Sequence, residues 1–196
     1  MKINNVAVFC GSNLGNKINY QNATKALGAL LPRHNMGLVY GGASVGIMGV
    51  LADTVLSHSG KVYGIIPQAM VEKEIAHKNL TKLFIVNSMH ERKAKMSELS
   101  DGFILLPGGA GSLDEFFEIF TWFQLGYHNK PCAILNIDGY YNSLLDFIDH
   151  AIKNGFMKPE HRQNLIVDTA PESLLLAMTQ FEPIVVEKWI RSTEII

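Results

Sequence analysis

A glycine-rich turn between an apolar strand and a helix carries the clearest chemical signal in this sequence. The turn spans residues 107–112, and two carboxylates, Asp114 and Glu115, follow one residue further on. Glycines let a backbone approach a bound anion closely, and the free N–H groups at a helix start face such an anion. The glycines in question are Gly108, Gly109 and Gly111. A phosphate cradle with acids beside it predicts chemistry on a phosphorylated ligand.

A second glycine-rich turn lies at residues 41–49, with Gly41, Gly42 and Gly46 as candidate binding residues. Its spacing differs from the G-x-G-x-x-G pattern of dinucleotide-binding turns. Two interpretations remain open from the sequence. The glycines either permit a tight turn and close packing of helix on strand, or they form a second surface for a phosphate.

Two capping-box patterns place charged residues at helix starts. In the first, residues 88–91, the cations Arg92 and Lys93 follow and oppose the helix macrodipole. They are either surface charges, or Arg92 reaches a phosphate or base, which its guanidinium can hold bidentately. In the second, residues 112–115, Glu115 either bonds back to the Ser112 amide or faces the ligand.

Two further groups are less promising by sequence. Asp114 and Glu118 are typical of residues that complement the dipole or face solvent. The histidines His77, His90 and His128 have no local base–nucleophile partner. A hydrolase triad is therefore not supported.

The elements that must position these residues alternate between strand and helix along the chain. Strands are predicted at 5–10, 37–40, 61–66, 82–86, 102–106, 131–137 and 165–167. Helices are predicted at 19–31, 46–58, 89–99, 113–125, 141–154 and 172–179, with Pro32 ending the first. Continuously apolar strands separated by such helices predict an α/β fold. The expected architecture is a Rossmann-like, doubly wound parallel sheet of about seven strands with helices on both faces.

Four polar or glycine-rich turns follow strands of this predicted sheet. They span residues 10–13, 41–44, 87–90 and 107–112. Because the carboxyl ends of parallel strands meet at one edge, where open sheets bind ligands, these turns should converge. Their convergence is stronger evidence for a ligand site than any single motif.

Length and composition limit the alternatives. The 196 residues predict a single domain over residues 1–181, with an apolar tail, residues 182–196, that packs on the body or on a partner subunit. With 47% apolar and 18% charged residues and a net charge of −1, the chain is globular. No basic excess favours nucleic acid, and no apolar run favours a membrane or a signal peptide. We therefore expect a cytoplasmic protein. Cys10 and Cys132 lie in apolar runs and are predicted to be core residues.

The order of these motifs resembles that of the Lonely Guy family over about residues 5–180. The paired signatures are P-G-G-x-G-[ST]-x-x-E at residues 107–115 and M-H-x-R-K at residues 89–93. The resemblance implies a phosphoribohydrolase that acts on cytokinin riboside 5′-monophosphates and commonly on AMP. It also implies homodimers or larger assemblies of Rossmann-like subunits. The almost wholly apolar helix at 116–125 fits contact with a second subunit.

The resemblance also assigns roles to individual residues. It implies that Arg92 and Glu115 are the catalytic pair. It places substrate or phosphate binding at Ser12, Gly41, Gly42, Gly46, Met89, Lys93, Gly108, Gly109, Gly111 and Ser112. The chain departs from the family pattern at three positions, where Ser112 replaces Thr, Ala43 replaces Gly and Asp114 replaces Glu.

Breaking an N-glycosidic bond builds positive charge on the ribose, which a carboxylate such as Glu115 can stabilise. No metal or organic cofactor is needed for that chemistry. A pyridoxal-dependent decarboxylase is disfavoured because no lysine lies in a convincing cofactor site. The main alternative is a non-catalytic nucleotide or cofactor carrier on the same fold. DNA binding is weakened by the missing basic excess.

Overall fold

The computed structural model describes residues 2–71, 76–184 and 186. These residues form a seven-stranded, all-parallel sheet in the order β4-β3-β2-β1-β5-β6-β7. Its strands are β1 (Asn5–Phe9), β2 (Gly37–Tyr40), β3 (Val62–Pro67), β4 (Lys82–Val86), β5 (Gly102–Leu105), β6 (Cys132–Leu135) and β7 (Leu165–Asp168). The helices are α1 (Ile18–Arg33), α2 (Gly46–Ser57), α3 (Gln68–Val71), α4 (Met89–Leu99), α5 (Ala110–Leu125), α6 (Asn142–Lys153), α7 (Pro159–Gln163) and α8 (Pro171–Thr179). The predicted α/β fold with a doubly wound parallel sheet is confirmed.

Helices cover both faces of the sheet because successive strand residues alternate between them. On one face, Val6 and Val8 of β1 pack under α1, α2 and α8. On the other, Ala7 and Phe9 pack under α4, α5 and α6. The strands are therefore buried on both sides, which explains their continuous apolar runs. Both cysteines are buried in these cores as free thiols, as predicted.

Some predicted boundaries are wrong. Helix α1 continues through Pro32, whose missing N–H removes one backbone hydrogen bond from the last turn. The helix ends at Arg33, and Asn35, two residues further on, adopts a left-handed conformation with φ of 57°. The Met36 amide then donates to the Leu31 carbonyl at 2.8 Å. The short helices α3 and α7 are not predicted, since four or five residues are too few for a periodic pattern.

Part of the predicted C-terminal tail can be described. The Asn164 side chain accepts from the Ile184 amide and donates to the Ile184 carbonyl, at 2.8 and 2.9 Å. Phe181 packs on Phe123 of α5. Residue 185 and residues 187–196 lie outside the described part, so packing of the whole tail stays a prediction. In the described part, none of the helices is long and apolar enough to cross a bilayer.

His128 links the end of α5 to β6 and gives a testable pH dependence. Its Nε2 bonds to the Ile119 carbonyl at 3.0 Å, and its Nδ1 accepts from the Lys130 amide at 3.2 Å. Burial lowers the pKa of His128 to about 4. Between pH 6.5 and 4, His128 therefore binds a proton in the unfolded chain but stays neutral in the folded chain. The free energy of unfolding falls as the pH falls.

We expect His128→Gln to flatten this dependence, because glutamine does not titrate and can still donate to the Ile119 carbonyl. The lost dependence should be at most about 3 kcal/mol between pH 6.5 and 4. Urea unfolding across that pH range measures it, with the exposed His90→Gln as the control. Equal pH slopes in the wild type and His128→Gln would contradict the assignment.

Candidate functional site

The sheet reverses its winding between β1 and β5, and the loops after these two strands touch. The Gly11 amide donates to the Pro107 carbonyl at 3.0 Å. Beside them lies a cavity of about 230 Å³, lined in part by Ser12, Leu14, Gly109 and Tyr140. This is the switch point at which open α/β sheets bind ligands. Of the four predicted strand-end turns, those after β1 and β5 line this cavity.

Helix α5 presents an open N-terminus to this region. It starts at Ala110 with Gly109 as N-cap, three residues before the predicted start. Apart from the neighbouring residues and the backbone of α5 itself, a Cβ atom added at Gly109 or Gly111 would meet no atom of the described residues within 4 Å, whereas one at Gly108 would collide with the Ser112 hydroxyl. Gly108 is thus explained by packing. The other two glycines leave space above the helix amides, as an anion would require.

This earlier helix start also decides between the two interpretations of residues 112–115. Ser112 lies inside α5 as a buried residue, and the N-cap is Gly109. The capping-box interpretation of this segment is therefore wrong. It failed because a Ser-x-x-Glu pattern is local, and the preceding glycine turn begins the helix one turn sooner.

Two tyrosines that are not among the predicted site residues form hydrogen bonds to the glycine turn at residues 107–112 and to the strand end before it. The Tyr140 hydroxyl donates to the Gly108 carbonyl at 2.8 Å, and the Tyr141 hydroxyl donates to the Leu106 carbonyl at 2.7 Å. Both follow a short 3₁₀ turn, Ile137–Gly139, after β6. These bonds fix the orientation of the turn's peptides. Nothing in the local sequence pattern marks either tyrosine, since the contact joins distant segments.

The centre of the candidate site is an ion pair between α4 and α5. Arg92 Nη2 lies 3.0 Å from Glu115 Oε1, and both side chains are about nine-tenths buried. Interpretation of Arg92 and Lys93 as surface charges is therefore wrong, because both residues are buried. Helix α4 follows β4 and helix α5 follows β5. Their first turns therefore lie at the same edge of the sheet, where Arg92 meets Glu115.

The second glycine turn makes room for this pair. A Cβ atom at Gly41 would collide with Arg92 Nη2. The guanidinium therefore occupies the space that a side chain at position 41 would fill. Gly42 and Gly46 have positive φ values of 78° and 58°, and Gly46 packs on the Ser12 backbone. The interpretation of tight packing accounts for these three glycines in this structure. Their role in binding phosphate stays a prediction.

The electrostatics of the pair favour a ligand that the two groups share. Burial raises the pKa of the Glu115 carboxyl, and the Arg92 guanidinium opposes this rise. Among the described residues, Arg92 Nε is buried without a hydrogen-bond partner. The Nη1 atom contacts the sulfur of Met89, 3.7 Å away, and that of Met70. A buried donor without a partner is costly. The geometry thus provides unused donors next to a carboxylate.

The remaining predicted residues lie around this centre. Met89 is exposed beside Arg92, and Ser12 is exposed at the cavity. Lys93 instead extends to Asp114 and Glu118 of α5. Ser88 caps α4 by accepting from the Glu91 amide, while Glu91 accepts from Asn87 rather than from Ser88. The capping box at α4 is therefore only half formed.

With this sheet and these residues the chain is a Rossmann-like α/β protein. It has an open helix start at α5 and a buried arginine–glutamate pair near the switch point. Residues 48–178 match the family model described as possible lysine decarboxylase. The chain is 42% identical to cytokinin riboside 5′-monophosphate phosphoribohydrolase LOG1 of Arabidopsis thaliana, covering 93% of this chain and 85% of the relative.

A bacterial relative gives the same result. The chain is 46% identical to the cytokinin riboside 5′-monophosphate phosphoribohydrolase of Rhodococcoides fascians, over 88% of each protein. The protein therefore belongs to the Lonely Guy family.

Solved structures with the same fold are more distant in sequence. The molybdenum cofactor binding protein of Rippkaea orientalis superposes with a TM-score of 0.69 at 18% identity, covering 92% of this chain and 98% of the other. The molybdenum cofactor carrier protein of Chlamydomonas reinhardtii gives 0.68 at 14% identity, covering 91% and 98%. At these identities the likeness concerns the fold alone.

Proposed function

We propose that this protein hydrolyses the N-glycosidic bond of purine nucleoside 5′-monophosphates, AMP or its N6-modified forms. The products are the free base and ribose 5-phosphate. The observation that carries the proposal is the buried Arg92–Glu115 pair, at 3.0 Å, beside the open start of α5. The relatives named as cytokinin riboside 5′-monophosphate phosphoribohydrolases support the same reaction.

Glu115 supplies the chemistry in this proposal. As the bond between base and ribose breaks, positive charge grows on the sugar, and a carboxylate beneath the ring stabilises it. Glu115 also accepts a proton from the attacking water as its oxygen bonds to C1′. The bond electrons leave with the base, which takes up a proton. Because burial raises the pKa of Glu115, it is a stronger base than an exposed glutamate.

Arg92 and the glycine turn position the substrate. The guanidinium has a pKa above about 12, so Arg92 anchors the nucleotide and is not the proton donor. The amides at Gly109 and Gly111, with the Ser112 hydroxyl, hold the 5′-phosphate at the start of α5. Binding energy from the phosphate then orients the reacting bond.

The test is incubation with AMP, an N6-prenylated AMP and adenosine, followed by chromatographic detection of free base. We expect base release from the nucleotides and far slower release from adenosine, which lacks the phosphate. Equal turnover of AMP and adenosine would reject phosphate binding by the turn. Tight nucleotide binding without base release would reject the enzyme and favour a carrier.

Gly111→Ala separates phosphate binding from stability. A methyl group at this position meets no atom of the described residues beyond its chain neighbours and the backbone of α5, and alanine is the better helix former by up to about 1 kcal/mol. We expect an unchanged or higher melting temperature together with a rise of about tenfold or more in KM for AMP. Thermal unfolding and steady-state kinetics measure the two effects. An unchanged KM would place the phosphate elsewhere.

We also propose that the chain acts as a homodimer in the cytoplasm. The edge strand β4 exposes about half of Ile85, and the nearby Met89 is 43% exposed. An exposed apolar edge is a ready surface for pairing, and a second copy would cover it close to Arg92. Light scattering should give twice the chain mass, and Ile85→Lys should lower it. A monomeric wild type would reject the dimer.

A further inference from the structure

A second cluster of charges joins α4 and α5 immediately beside the Arg92–Glu115 pair. Lys93 Nζ lies 2.5 Å from Glu118 Oε2 and 3.3 Å from Asp114 Oδ2. The Lys93 side chain is only 10% exposed, whereas Asp114 is 64% exposed. A lysine this buried is normally paired, and here both partners come from one helix.

The positions of these residues couple the cluster to the site. Lys93 directly follows Arg92 on α4, and Glu115 directly follows Asp114 on α5. Asp114 and Glu118 are four residues apart and so share one face of α5. Three neighbouring ion pairs thus join the first turns of α4 to those of α5. A displacement of Lys93 would therefore act on Arg92 through the same turn of helix.

The charges explain why the second cluster matters. The first turns of α5 carry three carboxylates, and two cations of α4 face them. Because Lys93 pairs with Glu118 and Asp114, Glu115 is the one carboxylate of the three that remains to pair with Arg92. Without the Lys93 ammonium, Arg92 would be attracted to three acids, and the Glu115 carboxylate would lie beside two uncompensated charges.

We propose that Lys93, held by Glu118 and Asp114, is a positioning residue for the reaction. It reserves the Arg92 guanidinium for Glu115 and favours the ionised form of the Glu115 carboxyl. This inference rests on the proposed function, and it replaces the substrate-lining role that family resemblance implies for Lys93. In this structure the Lys93 ammonium forms ion pairs with Asp114 and Glu118.

The charged and titratable groups around Glu115 predict the sign of each substitution. Arg92 and Lys93 face it from α4, Asp114 from α5 and the Cys10 thiol from the end of β1. Burial raises the pKa of Glu115, Arg92 lowers it, Asp114 raises it and Lys93 lowers it. Removing Lys93 should therefore raise the pKa of Glu115, and removing the charge of Asp114 should lower it.

The experiment compares Lys93→Met and Asp114→Asn with the control Lys95→Met. Lys95 lies on the same helix and pairs with Glu98, away from the site. The first readout is the pH profile of kcat/KM for AMP. We expect its acidic limb to move up in Lys93→Met and down in Asp114→Asn, each by on the order of half to one pH unit.

A second kinetic readout separates positioning from substrate binding. Lys93→Met should lower kcat by about tenfold or more and change KM for AMP by less than about threefold. Lys95→Met should change neither value. A large rise in KM with kcat unchanged would show that Lys93 binds the substrate, and this would overturn the inference.

The third readout does not depend on turnover. In protein labelled with ¹³C at the glutamate carboxyls, the titration of Glu115 should move in the same two opposite directions. Its resonance is assigned by its absence in Glu115→Gln. Unmoved titrations would overturn the inference, even with an active wild type. A wild type that releases no base rejects the proposed function, while the carboxyl titration still decides the effect of Lys93. If Lys93→Met does not fold, the exposed Asp114→Asn must still lower the pKa of Glu115.

Discussion

Replacement of Glu115 by glutamine should reduce base release from AMP by about 100-fold or more. Glutamine has the size of glutamate and can still accept a hydrogen bond from the ribose. It carries no charge to stabilise the oxocarbenium-like sugar and takes no proton from water. The loss should therefore appear in kcat, whereas KM for AMP should change little. Steady-state kinetics with chromatographic detection of the base measure both parameters.

The control for this substitution is Glu98→Gln, which changes an exposed glutamate that pairs with Lys95. It should retain full activity. Because Glu115→Gln leaves the buried Arg92 without its charged partner, some loss of stability is expected. Circular dichroism at the assay temperature must show that the variant is folded. A folded Glu115→Gln enzyme with wild-type kcat would reject the proposed role of the carboxylate.

Gly41→Ala should reduce kcat/KM for AMP by about 10- to 100-fold although residue 41 need not touch the substrate. Its new methyl group would occupy the space of Arg92 Nη2. The guanidinium is the end of a flexible side chain, so it should move away while the strand remains in place. A displacement of about 1 Å at a positioned group can cost a hundredfold in rate.

Gly111→Ala is the matched comparison, because it adds the same methyl group at an open position. The two variants should change different kinetic parameters. Gly41→Ala should lower kcat, whereas Gly111→Ala should raise KM and leave kcat close to the wild type. A crystal structure of Gly41→Ala should show the Arg92–Glu115 distance increased beyond 4 Å, the usual limit of an ion pair. Wild-type kinetics in Gly41→Ala would mean that catalysis does not require the Arg92 guanidinium to lie beside Gly41.

Local patterns predicted most of the sheet and several helix boundaries. The ranges Gly37–Tyr40, Lys82–Val86 and Met89–Leu99 match the structure at both ends. Each is defined by nearby residues, namely an apolar run between turns or a capped helix. The start of α5 was missed because the glycine turn before Ser112 is itself the helix start. Glycines do not reveal by sequence alone whether they precede a helix or belong to its first turn.

The amino-acid sequence alone predicts the class of fold and the types of residue at the site. Apolar runs alternating with helices are sufficient for a parallel sheet, and parallel strands bring their carboxyl ends to one edge. Which side chains meet at that edge depends on distances between segments far apart in the chain. The pairing of Arg92 with Glu115, and of Lys93 with Asp114 and Glu118, is visible only in the folded protein.

The physical reason is that these contacts depend on the packing of α4 against α5 and on the space left at Gly41. The bonds from Tyr140 and Tyr141 to the glycine turn arise in the same way, from a loop that follows a neighbouring strand. Residue types and periodicity specify what each segment can form. The ion pairs and hydrogen bonds of the site exist only once the sheet has brought the segments together.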